Sequence, residues 1–172
     1  MAKLYGLGNY LISELTTKLI NDNDVNKFIY YKDIKDKDIL EMPDLDNPFI
    51  QLKGQIFQNR RPEKVLEYED VCVFIWLDDV RNKNATTKKI KTVTINIGFV
   101  VNVNCSKTVH GMREVALISA IEKTVENSEF QKAIGGTVRV IRVNPLNGIP
   151  HEWNGYKIVV ECDGLTEPCV LF

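Results

Sequence analysis

Leu4, Leu7, Leu11, Leu15 and Leu19 recur at spacings of three and four, which lines one face of a helix with apolar side chains. Asp22 and Asp24 stand where they can cap a second, short helix whose apolar members are Val25, Phe28 and Ile29. The periodicity then lapses. From Asp33 to Pro62 the chain is mostly polar, with Asp36, Asp38, Glu41, Asp44 and Asp46 facing few lysines, and Pro43, Pro48 and Pro62 interrupting regular elements. The stretch 33–62 is expected to be an extended arm or insertion, since a long loop in a compact domain commonly serves binding or an interface.

Val71 to Leu77 (VCVFIWL) is continuous, β-branched and aromatic, which predicts a central strand covered on both faces. From Thr92 to Asn104, Val93, Ile95, Ile97, Phe99, Val101 and Val103 alternate with Thr94, Asn96, Gly98, Val100 and Asn102, a long strand with one apolar face. The intervening DDVRNKNATTKKIK is too polar to pack, so the two strands are expected to form a long hairpin whose tip, 78–91, projects. Beyond Gly111, Val115, Ile118, Ile121 and Val125 recur at helical spacing and predict a central helix packed on the sheet. Gly135 and Gly136 end that region, and TVRVIRV (137–143) and YKIVVEC (156–162) read as a second strand pair. The fold class is therefore α/β in the α+β sense. One domain spanning 1–172 is expected, mostly antiparallel, in the order α-β-β-α-β-β, with an apolar C-terminal tail at 164–172 ending in PCVLF.

Composition narrows the function. The 172 residues are 44% hydrophobic and 26% charged, values at which one core suffices and the chain folds. A net charge of −1 provides no global attraction to nucleic acid or anionic lipid, which favours a protein partner. Apolar runs reach only about seven residues where a spanning helix needs about 20, so no membrane is expected. The four cysteines contain no CxxC pair, and Cys72 and Cys162 lie in strand-like runs as small hydrophobes, consistent with a reducing cytoplasm.

Candidate chemistry is sparse. His110 and His151 lack an acid or cysteine at a useful spacing, and Cys105 with His110 lacks the second ligand pair of a zinc site. The glycines Gly6 to Gly8 and Gly135 to Gly136 make neither dinucleotide nor phosphate-loop motif, and no nucleophile elbow or HExxH occurs. No cofactor, metal or catalytic residue is expected. The pair of N-terminal helices is helix-turn-helix-like by spacing, but its outward face is not basic. The strongest local feature is the hairpin tip, where Arg81, Lys83, Lys88, Lys89 and Lys91 cluster. Such cations can belong simply to a solvated loop, can contact phosphates, or can meet the acids of 33–46 on an adjacent subunit.

The strand VCVFIWL, the long strand TVTINIGFVVNVN, the segment GMREVALISAIEKTVE, GGTVRVIRV and NGYKIVVECDG together cover Asp70 to Asp163 behind a first helix. This arrangement resembles the tail terminator and neck proteins of tailed bacteriophages. That resemblance implies a small α/β ring subunit that caps the tail tube or stacks beneath the portal, joining tail to filled head. The longer Asp33 to Pro62 insertion departs from the pattern and leaves both kinds of ring open. The expectation is a homo-oligomeric ring of about six or twelve subunits. It would touch portal, adaptor and tail proteins, with DNA passing its channel, in virions assembled in the bacterial host cytoplasm. Its interface candidates are Arg81, Lys88, Lys89 and Lys91 at the tip, Arg113 across the subunit boundary, Asp44 and Asp46 in the arm, and Leu171 and Phe172 in the tail. The alternative is a small nucleic-acid-binding module using the 81–91 tip, which predicts binding that weakens steeply with salt. An enzyme ranks last, because no convergent set of ionisable groups is apparent.

Overall fold

The computed structural model describes residues 2–32, 37–58, 70–83, 90–109 and 111–166. Helix α1 (Ala2–Asn21) buries Leu7, Leu11, Leu15 and Leu19, the face that the leucine spacing predicts. Asp22 caps α2 (Asn23–Tyr30): its carboxylate accepts the Val25 N–H at 3.0 Å, satisfying one of the donors that a helix start leaves without a partner. Val25, Phe28 and Ile29 are buried beneath it.

The chain continues through α3 (Pro48–Gln51) and β1 (Ile56–Phe57), then β2 (Val71–Asn82) and β3 (Ile90–Asn102). A short hairpin, β4 (Lys107–Thr108) with β5 (Gly111–Met112), precedes α4 (Arg113–Val125) and α5 (Ser128–Ile134); β6 (Thr137–Pro145) and β7 (Trp153–Thr166) complete the order. The five-stranded sheet runs β1-β2-β3-β7-β6 and is antiparallel except for the two-residue β1, which pairs parallel to β2. The result is a single mixed α+β domain, mostly antiparallel, in which the 71–102 hairpin and the 137–166 pair form as the alternation predicts.

Valines and isoleucines of β2, β3 and β7 at alternate positions form one core with α1, α2, α4 and α5. Each fully buried leucine of α1 contributes on the order of 1.5–3 kcal/mol. The opposite sheet face is also covered at one end, where Cys72, Phe74, Val100 and Trp153 form a second cluster against Leu146, Ile149, Phe57 and Trp76. Phe57 stacks on Phe74 with centroids 5.6 Å apart. Gly98 makes room for this layer: a Cβ there would lie 2.8 Å from the Trp76 ring.

Several expectations change. The central strand is β3, whose neighbours are β2 and β7; β2 lies one strand from the edge. The projecting tip is shorter than 78–91, because Asp79 to Asn82 pair with Lys91 to Thr94 after a bulge past Leu77. In α4 the buried positions are Arg113, Glu114, Leu117, Ala120, Ile121, Thr124 and Val125, while Val115 is exposed. The first turn of that helix faces inward through charged groups, which apolar spacing does not register. The described part of 33–62 is anchored, with Ile39 and Leu52 buried in the main core and Gln55 buried beside it. The Gln55 amide donates to the carbonyls of Ile29 and Val71 at 2.9 and 3.2 Å, tying the segment to α2 and β2. Helix α5, ended by Gly135 in the left-handed region at φ 68°, was not foreseen; its seven residues are too few to show a period.

Candidate interface

The half of the outer sheet face left beside the second cluster carries a charged lattice that β pairing sets out in rows. Asp79 of β2, Thr94 of β3, Glu161 of β7 and Arg139 of β6 stand side by side, and Trp76, Asn96, Val159 and Arg142 form the next row. Alternation along each strand sends these side chains away from the helices.

Glu161 is the hub. Its Oε1 accepts from Arg139 Nη2 at 2.6 Å and Nε at 3.1 Å, and its Oε2 accepts from Arg81 Nη2 at 3.0 Å. The Glu161 side chain is 10% exposed, whereas those of Arg81 and Arg139 are 60% and 69% exposed. The hydrogen bond and charge of Glu161 raise the Arg139 pKa above the ordinary arginine value. Such solvent-facing pairs add only about 0–1 kcal/mol to stability. Their main effect is positional: the carboxylate holds Arg139 through two donors and Arg81 through one, with both guanidinium groups facing solvent. Arg142 is exposed beside them.

At the hairpin end, Lys83 Nζ donates to Asp163 Oδ2 at 2.6 Å and Thr92 Oγ1 donates to Oδ1 at 2.7 Å. The two hydrogen bonds hold the Asp163 carboxyl at about 2, well below its ordinary value. Burial pushes the neighbouring Cys162 thiol up to about 12, making it an inert core group.

A second charged group is structural. Arg113, fully buried, donates from Nη1 to the carbonyls of Phe28 and Tyr31 at 2.9 and 2.5 Å, and from Nη2 to that of Lys32 at 2.8 Å. These carbonyls lie at and just beyond the C-terminal end of α2, where a cation is favoured. Desolvation lowers the Arg113 pKa. Beside it in sequence, buried Glu114 accepts from Ser106 Oγ at 2.7 and 2.8 Å and from Asn154 Nδ2 at 2.7 Å. Arg113 thus ties α4 to α2 from inside the core, in place of the exposed position that its expected role across a subunit boundary requires.

The other interface candidates separate. Arg81 is exposed but bound to Glu161, while Lys91 is buried and donates to Asn82 Oδ1 at 2.5 Å, so neither is a loose tip cation. Lys88, Lys89, Leu171 and Phe172 lie outside the described residues, as does His110. Asp44 pairs with Lys27 at 2.8 Å and accepts from Asn23 at 2.9 Å, and Asp46 is exposed. His151 is exposed beside Glu152. Among the described residues, no group of three His, Cys, Asp or Glu side chains is placed to hold a metal, and no helix is long and apolar enough to cross a membrane. Sequence reasoning missed Arg139, Arg142 and Glu161; the alternation of TVRVIRV carried the signal, since it turns Arg139 away from Val138 and Val140.

Compared with known protein families, the chain matches the family model described as YomW over residues 22–162. No curated protein matches it.

Proposed function

Because this chain belongs to the YomW family, whose name is that of a Bacillus phage-derived protein and marks the chain as phage-associated, we propose that it is a structural subunit of the virion. In this reading it forms a ring at the head-to-tail junction, as neck connector or tail terminator. It works by docking and not by catalysis. The observation that carries the reading is the open half of the outer sheet face, where Glu161 fixes Arg81 and Arg139 while both stay largely exposed. A fixed, exposed cation array orients a neighbour more than it tightens binding. The helical layer on the opposite face supplies a rigid wall, and portal-side proteins, tail proteins and DNA in the channel are the contacts such a ring would make. The subunits would be made in the host cytoplasm and end in the virion. The test is gold labelling of this chain on intact phage particles. Label confined to the junction of head and tail is expected; particles without the chain overturn the proposal.

The alternative of a nucleic-acid module working through the tip is weakened by the engagement of Lys83 with Asp163 and of Lys91 with Asn82.

A further inference from the structure

Of the nine large apolar side chains that stand exposed among the described residues, four fall within 103–115: Val103 (42%), Val109 (52%), Met112 (45%) and Val115 (59%). Single side chains of this kind scattered over a surface are ordinary; a group of them marks a place of contact. The local structure holds this group together. Val103 opens the short turn Val103–Cys105, which leads into the β4–β5 hairpin, where Lys107 pairs with Met112 and Val109 stands at the turn. Val115 follows Met112 by three positions at the start of α4, which brings the two onto one side of the helix. The Arg113 N–H donates to the Ser106 carbonyl at 2.7 Å and closes the unit. Glu114, bonded to Ser106 and Asn154, fixes it at the Trp153 end of the sheet.

The sequence contains an apolar segment of matching character. Beyond Thr166, at the other end of β7, come Glu167 and Pro168 and then four successive apolar residues, 169–172 (CVLF), which lie outside the described residues. Thr166 pairs with Ile90, and Trp153 pairs with Asn102, so the length of β3 separates that segment's starting point from the 103–115 surface. The 13 residues of β3 span about 40 Å. The chain from Thr166 to Phe172 reaches at most about 21 Å. Residues 169–172 therefore cannot return to the 103–115 surface of their own chain, whereas they can meet that of a neighbour.

Copies do not meet by extending the sheet at β6, because that edge is capped. The Glu126 carboxylate accepts the Val140 N–H at 2.9 Å, and the Gln131 amide reaches the Val138 carbonyl at 3.5 Å. A segment from one end of the sheet seated on a surface at the other end is a heterologous contact, which closes into a ring when the rotation between copies permits.

We propose that the 103–115 surface is the seat of residues 169–172 of a second copy of this chain, with Val109, Met112 and Val115 packed against Leu171 and Phe172. This rests on the ring reading and names its subunit contact.

The test is complementation between two variants of the full chain. One carries Val109→Ser with Val115→Gln, both at exposed positions, and the other Leu171→Ser with Phe172→Ser; circular dichroism checks that both fold. Each variant alone should self-associate at least about tenfold more weakly than wild type, because apolar side chains at the centre of the contact are lost. An equimolar mixture retains one intact surface and one intact segment, so it should form a one-to-one dimer and nothing larger. Light scattering reads the mass at rising concentration, since a single contact lacks the reinforcement that ring closure adds. A merely structural defect is not repaired by mixing, so the dimer supports the pairing. Variants that associate like wild type, or a mixture that stays monomeric while wild type associates, overturn the pairing and leave the ring reading standing. A wild-type chain that never associates overturns both.

Discussion

Truncating Arg113 to alanine removes a fully buried cation and leaves the carbonyls of Phe28, Tyr31 and Lys32 without their donors. Hydrogen bonds to charged groups contribute about 1.5–3 kcal/mol each, but three on one side chain are not additive. Breaking a buried charged interaction from one side costs about 3–5 kcal/mol, a large part of a typical domain's 5–15 kcal/mol. For a domain of this size each kcal/mol lowers Tm by about 2–4 °C, so Arg113→Ala should lower it by roughly 6–20 °C. Urea and thermal unfolding, followed by far-ultraviolet circular dichroism, measure the loss. Arg113→Met separates volume from bonding, and Arg113→Lys, which keeps charge with fewer donors, should fall between alanine and wild type. Because Arg113 is out of solvent, the mass of any assembly measured well below the transition should not change. A loss under about 1 kcal/mol for alanine, or dissociation of assemblies in a variant of unchanged stability, would refute the structural role argued for this residue.

Three further outcomes follow from the same contacts. Asp163 titrates at about 2 in the folded chain against an ordinary 3.8, so its contribution is complete above pH 3.8 and is lost as pH falls toward 2. Asp163→Asn should therefore flatten the acid limb of stability in that window and lower stability near neutrality; an unchanged acid limb would count against the Lys83 and Thr92 contacts. Gly98→Ala forces a methyl against the Trp76 ring, 2.8 Å away, and should cost about 1–3 kcal/mol with a shift in tryptophan emission; silence in both would mean that the ring moves freely. Glu126→Ala uncovers the Val140 N–H, so that amide should lose hydrogen-exchange protection and the chain should aggregate sooner at high concentration; unaltered exchange would contradict the edge cap.

Elements whose cause lies in apolar spacing were legible in the sequence. The leucines of α1, the Asp22 cap of α2 and the alternation of β3, β6 and β7 each announce themselves locally, and the sheet assembles as they require. What could not be read depends on polar groups and on distance. Arg113 and Glu114 face inward because carbonyls of α2, Ser106 and Asn154 receive them, partners up to 85 residues away for Arg113. Gln55 anchors its segment through the carbonyls of Ile29 and Val71 in the same way. The candidate site was half legible: the cations near the tip were visible, but Glu161, which fixes Arg81 and Arg139 together, lies 80 positions from Arg81 and only strand register reveals it. The second cluster, too, needs the 146–153 loop to return over the sheet, which alternation within β3 cannot show.

The measurement that bears most directly on the proposed role is the mass of the purified full chain in solution at rising concentration, by light scattering after size exclusion, with negative-stain imaging of the large fraction. A discrete closed ring of about six or twelve subunits is the predicted result, as a heterologous interface closes on itself. A monomer at every concentration and ionic strength would contradict it.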